Sequence, residues 1–224
     1  MKKLLAILLT AVLALSLAAC SNGAENTDNE TAQPDSTTQA QTDTAENGKT
    51  LVIYFTVSQN SETDAVSSAS VVDGTSTGIL EYVALKIAEN TGADTFSIQT
   101  DVKYPSDYNE LVDYAKDEQN NSVLPNITNK LENLDNYDTV FIGYPIWWYD
   151  MPQVMYSFFN EYDFSGKTII PFCTHMGSEF TGTIEKIQSL EPNATVVENG
   201  FAVRGDKAGK ADKDIEKWVK ELEY

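Results

Sequence analysis

Cysteine, histidine and positive charge are what this chain has least of. Its 224 residues hold two cysteines, Cys20 and Cys173, and one histidine, His175. Two cysteines cannot build a disulfide framework. A zinc site would need carboxylates for most of its ligands, against the usual preference for Cys and His. Lys and Arg number 15 against 34 Asp and Glu, a net charge of −19. Such a surface repels phosphate backbones and anionic headgroups, which argues against nucleic acid or a polybasic membrane contact. Long apolar runs are missing too. The longest, residues 4–17, is broken only by Thr10 and Ser16 and is too short to rest across a bilayer.

That run is an address. Lys2 and Lys3 precede it, and small residues follow, ending Leu17-Ala18-Ala19-Cys20. The ending resembles the bacterial lipoprotein signal, which implies removal of residues 1–19 and a diacylated Cys20 as the new N-terminus. The mature protein is then expected outside the cytoplasm, meeting the membrane only through its lipid. Residues 20–48 form the expected tether. From residue 21 to 48 there is no aromatic residue, no Leu, Ile or Val and no Lys or Arg. Such a stretch cannot bury enough surface to offset its ordering entropy. As a flexible chain it spans roughly 30 Å.

The remaining domain, 49–224, alternates strand and helix. Residues 49–56 are a continuous apolar run rich in β-branched and aromatic residues, as a parallel strand buried on both faces requires. Further strands are expected over 94–99, 137–143 and 168–174, with a broken fifth over 195–204. Helices are expected over 76–90, 106–119 and 211–224, where apolar residues recur along one face, and over 152–162 and 178–190, where they fit between strands. This order predicts an α/β sandwich with a parallel sheet covered on both faces. Strand order does not follow from the pattern.

Open α/β sheets take ligands at the carboxyl ends of their strands, and three such ends stand out. After the first strand, a hydroxyl-rich loop runs from Thr56 and Ser58 to Thr77 and Gly78, a place where a helix N-terminus could hold a phosphate. After the third comes Pro145-Ile146-Trp147-Trp148. Nine of the 21 residues from Tyr144 to Phe164 are aromatic, against 10% of the chain. Adjacent indoles cannot both enter one core, so at least one is expected at the surface, open to a flat aromatic ligand. After the fourth, Thr174-His175-Met176-Gly177-Ser178 offers backbone N–H groups that suit the edge of a ring. Cys173, in an apolar strand, reads as a small buried hydrophobe.

Together these loops resemble the flavodoxin-like family, in its branch with Tyr-Pro-Ile-Trp-Trp after strand three and Thr-His-x-Gly-Ser after strand four. The resemblance runs from about Lys49 to Arg204, and Gly143-Tyr144-Pro145-Ile146-Trp147-Trp148 is its most specific string. It implies a flavodoxin-like three-layer sandwich, strand order 2-1-3-4-5, and bound FMN. Carried over by position, Thr56, Ser58, Thr77 and Gly78 fall in the phosphate loop. Pro145, Ile146, Trp147 and Trp148 flank the isoalloxazine ring, and Thr174, His175, Gly177 and Ser178 meet its pyrimidine edge. One departure stands out. The family's Gly-Asn-Thr before the first helix is Gly78-Ile79-Leu80 here.

The implied function is an FMN-binding electron carrier or flavin-dependent reductase, with no side chain as acid or base. Its partner would be a redox protein or a quinone-like small molecule. A flavin-free binding module, using the Trp-rich loop on a partner protein or aromatic ligand, remains the alternative.

Overall fold

The computed structural model of the chain describes residues 49–57, 70–72 and 75–222. The leader, Cys20, the tether and Ser58 lie outside the described residues.

Strand β1 (Lys49–Tyr54) is the apolar run expected at the start of the domain. A short antiparallel hairpin, β2 (Ser70–Val72) and β3 (Thr75–Thr77), precedes helix α1 (Ile79–Thr91). The helix therefore begins three residues later than its apolar spacing suggests. Ser76 and Thr77 pair with Val71 and Ser70 in the hairpin, and Gly78 is the helix cap. At its far end α1 closes on Gly92, whose φ of 68° suits glycine.

The chain continues through β4 (Asp94–Ser97), α2 (Tyr108–Asn120), β5 (Tyr137–Pro145), α3 (Gln153–Glu161) and β6 (Thr168–His175). It ends with α4 (Thr183–Leu190), β7 (Thr195–Val196), β8 (Phe201–Arg204), α5 (Gly205–Ala208) and α6 (Asp212–Glu221). Helix α2 is capped by Asp107, whose carboxylate accepts from the N–H groups of Asn109 and Glu110, so Ser106 is not its start. Helix α4 begins at Thr183 and not at Ser178. Glu179, Thr181 and Gly182 before it all have φ in the left-handed region, which no right-handed helix can contain.

The main sheet is parallel, in the order β4-β1-β5-β6, with β7 and β8 both pairing β6 at the far edge. Leaving out the hairpin, this is the expected 2-1-3-4-5 order. The fifth strand is split as its sequence suggested. Pro171 of β6, which has no N–H for a ladder, lies between the β7 and β8 registers. Strand order reverses between β1 and β5, so their carboxyl ends open the crevice where this fold receives ligands.

Successive β1 and β5 residues face opposite sides. Leu51, Ile53, Phe55, Val140 and Ile142 pack with residues of α2, α3 and α4; Val52, Tyr54 and Phe141 pack with α1 and α6. Gly143 is required where β5 meets β6, because a Cβ there would lie 2.1 Å from the Phe172 ring.

Candidate functional site

The loop that follows β5 is a tight aromatic turn. Trp147 and Asp150 exchange backbone hydrogen bonds, each 2.9 Å long. Between them Trp148 and Tyr149 both have positive φ, 48° and 62°. Two central residues of this kind make a type I′ turn, normally given to Asn-Gly. Two bulky side chains in the left-handed region cost about 1–2 kcal/mol each. Surrounding bonds hold them there. Thr181 Oγ1 donates to the Tyr149 carbonyl, and Trp148 Nε1 donates to the Val112 carbonyl of α2, at 2.9 and 2.8 Å. Lys116 stands 4.5 Å from the centre of the Trp148 ring, in cation–π range.

Asp150 anchors the turn from below. It is buried, accepts from the Met151 N–H and the Tyr156 hydroxyl, and pairs with Lys186 of α4. Burial first, and then this bond to Asp150, push the Tyr156 hydroxyl pKa up. The turn is thereby tied to α2, α3 and α4 at once.

The two indoles divide as anticipated. Trp147 is 7% exposed, with its ring edge-on to Phe55 and Tyr104 at 6.0 and 5.4 Å between centroids. Trp148 is 38% and Tyr149 72% exposed. Trp147 Nε1 is buried with no hydrogen-bond partner among the described residues. Beneath Tyr104 lies Glu118 of α2, 4% exposed, which accepts from the Tyr104 hydroxyl at 3.2 Å. Burial pushes the Glu118 carboxyl up to about 7, opposed by the Tyr104 hydroxyl and the Gln153 N–H.

Beside the turn, the end of β6 is fastened by the Ile146 N–H donating to the Thr174 carbonyl at 2.8 Å. The Gly177 N–H donates to His175 Nδ1 at 3.0 Å, so that nitrogen is an acceptor. Burial, with Arg204 adding to it and Glu179 opposing, lowers the His175 pKa; the ring is neutral near pH 7. Gly177 has a φ of 132°, which favours glycine.

Between these two loops and α2 lies a cleft of about 500 Å³. Ile146, Trp147, Trp148, Gly177 and Ser178 line it, five of the residues singled out from sequence. Its other wall is the α2 face carrying Tyr108, Leu111, Val112 and Ala115, and Tyr149 and Met176 complete it. Sequence reasoning missed these six. The α2 stripe was legible, but not which loop it would face. Thr56, Thr77, Gly78, Pro145, Thr174 and His175 do not line the cleft. Thr56 and Thr174 are buried at the ends of β1 and β6, Pro145 ends β5, and Thr77 and Gly78 lead into α1.

A family model described as flavodoxin matches residues 68–222. The chain belongs to the flavodoxin family. Among solved structures, this flavodoxin is similar to two presumed flavoproteins of known structure. One is from Bacteroides eggerthii DSM 20697, at 27% identity and a TM-score of 0.57, covering 79% of this chain and all of the other. The second is from Bacteroides uniformis ATCC 8492, at 28% identity and a TM-score of 0.59, covering 78% of this chain and 99% of the other. A flavoprotein from Lactobacillus acidophilus NCFM, solved in complex with FMN, shares the fold at 18% identity and a TM-score of 0.52, covering 76% and 98%. No curated protein matches the chain.

Proposed function

We propose that this flavodoxin binds FMN in the aromatic cleft and serves as an electron carrier or flavin-dependent reductase, held outside the cytoplasm by lipid on Cys20. The observation that carries this reading is the cleft itself. It has the volume of a cofactor pocket, an indole-lined apolar wall, and a buried indole N–H that finds no partner among the described residues. An orphaned buried donor beside a cleft points to a ligand acceptor.

A bound flavin supplies reversible one- and two-electron chemistry. The chain binds and orients it. Trp148 and Tyr149 present aromatic surface at the mouth, while α2 supplies the apolar wall. The Gly177 N–H is engaged by His175, and the Tyr108, Tyr149 and Ser178 hydroxyls of the lining can donate to polar ring atoms. The net charge of −19 disfavours an anionic reduced flavin and steers a basic redox protein toward the surface. A quinone-like small molecule is the alternative electron partner.

A flavin-free module that takes another aromatic ligand in the same cleft is the second reading, favoured by the apolar start of α1. The test is to purify the full chain and record its visible absorbance, then titrate flavin while following tryptophan and flavin emission. Micromolar or tighter binding with mutual quenching supports the proposal, and colourless folded protein that quenches neither contradicts it. For the anchor, Cys20→Ala is predicted to release the protein from the membrane fraction; retention would refute lipid attachment there.

A further inference from the structure

Among the described residues, sulfur is shut away with one exception. Met151, Met155 and Cys173 are 1%, 0% and 0% exposed, all within one core cluster. Burial also pushes the Cys173 thiol pKa up, so it stays a thiol and not the reactive thiolate. Met176 is 60% exposed, and it lines the cleft. The turn that ends β6 holds it there. His175 precedes it, and the Gly177 N–H that follows donates back to His175 Nδ1 at 3.0 Å. Gly205 leaves room for the thioether, since a Cβ there would lie 3.3 Å from Met176 Sδ. The side chain thus rests against the start of α5 while it lines the cleft and meets solvent.

Leu111, Val112, Ala115 and Ile146 line the same cleft with both indoles. A thioether suits such a wall, being apolar, polarisable and favourable against aromatic rings. An exposed thioether also takes up oxygen from peroxides, and the sulfoxide that results is polar and chiral. We infer that Met176 is an oxidation site that controls the cleft: hydrogen peroxide and peroxides of its class convert it to the sulfoxide ahead of Met151 and Met155, and the sulfoxide weakens binding of an aromatic ligand. The effect on affinity rests on the flavin reading of the cleft; the site of oxidation does not. In the reaction the sulfur lone pair attacks one peroxide oxygen, the O–O bond breaks and an S=O bond forms. Sulfur gives up two electrons, and the departing hydroxide takes the proton of the transferred oxygen to leave as water. The new dipole then sits in a wall of methyl and ring carbon atoms, where a flat ligand that covers it strips its hydration.

The test treats the full chain with rising doses of hydrogen peroxide, maps it by peptide mass spectrometry, and titrates it with FMN before and after. The expected result is one added oxygen at Met176 before any at Met151 or Met155, with the FMN dissociation constant raised about three- to tenfold. Reduction by the two methionine sulfoxide reductases, one for each epimer, should restore the original affinity. Met176→Leu, which cannot form a sulfoxide, should show the same FMN affinity before and after peroxide. Oxidation of Met151 or Met155 first overturns the inference, as does an FMN affinity unchanged by full oxidation of Met176. An equal loss of affinity in peroxide-treated Met176→Leu places the damage elsewhere and also overturns it. If untreated, folded protein binds no FMN, the flavin reading and the effect on affinity fall together, while the peptide map still decides the site of oxidation.

Discussion

The two sides of the crevice are built in opposite ways. On the β5–β6 side, two aromatic residues hold left-handed backbone, an indole N–H is buried with no partner among the described residues, and Asp150 ties the loop to two helices. On the β1–α1 side, described side chains settle into ordinary core: Ile79 and Leu80 are buried and Glu81 has a tyrosine partner. Strain and unmet hydrogen bonds persist where surrounding structure enforces them and a ligand can use them.

Paired truncations break the comparison most sharply. Leu80→Ala and Trp147→Ala should each lower unfolding stability by about 2–5 kcal/mol, read by urea titration. Only Trp147→Ala should also weaken flavin binding. If Leu80→Ala, measured where it remains folded, weakens flavin equally, the two sides are not distinct. Asp150→Ala should cost about 2–3 kcal/mol, because it leaves the Tyr156 hydroxyl and the Met151 N–H without their acceptor. It should also raise the mobility of the Trp148 side chain, seen as a change in fluorescence anisotropy.

Glu118 supplies a pH test. Its pKa rises from 4.5 to about 7 on folding, so the folded state holds the proton more firmly. That contribution to stability is full below about pH 4.5, declines as pH rises to about 7, and is flat above. Glu118→Gln should abolish this decline, a gain over the parent of about 1–2 kcal/mol near pH 8 relative to pH 4.5, after discounting for solvent screening. Tyr104, Tyr114 and Asp101 surround the same cluster, so parallel unfolding curves at the two pH values isolate the Glu118 part. The smallest effect is expected at Tyr149. Replacing it with Gly relieves left-handed strain and should stabilise the protein by about 0.5–1 kcal/mol while loosening the cleft mouth.

Much of this was legible in the sequence, and the rest has identifiable reasons for being hidden. The alternating strands and helices follow from hydrophobic period, and the Trp147-Trp148 pair announces itself by composition. The left-handed turn does not, because Trp-Tyr carries none of the Asn-Gly chemistry that marks such turns. The α2 wall was visible as a stripe, but only tertiary packing decides that Leu111 and Ala115 face the indoles. Asp150 lies just past the Trp-rich string and Met176 inside the Thr174–Ser178 one, yet nothing local shows that one is buried and the other lines the cleft. At α1 the reverse holds. Ile79 and Leu80 marked a departure from the family's Gly-Asn-Thr in sequence, and the structure adds that their side chains enter the core.

The most direct test of the account uses the ring alone. Lumichrome, an isoalloxazine-like tricycle without ribityl or phosphate, can be titrated calorimetrically into the full chain beside riboflavin. We predict binding within about tenfold of riboflavin, since the cleft carries the affinity. Failure of lumichrome to bind at concentrations where riboflavin and FMN saturate would place the affinity in the tail, and contradict the account.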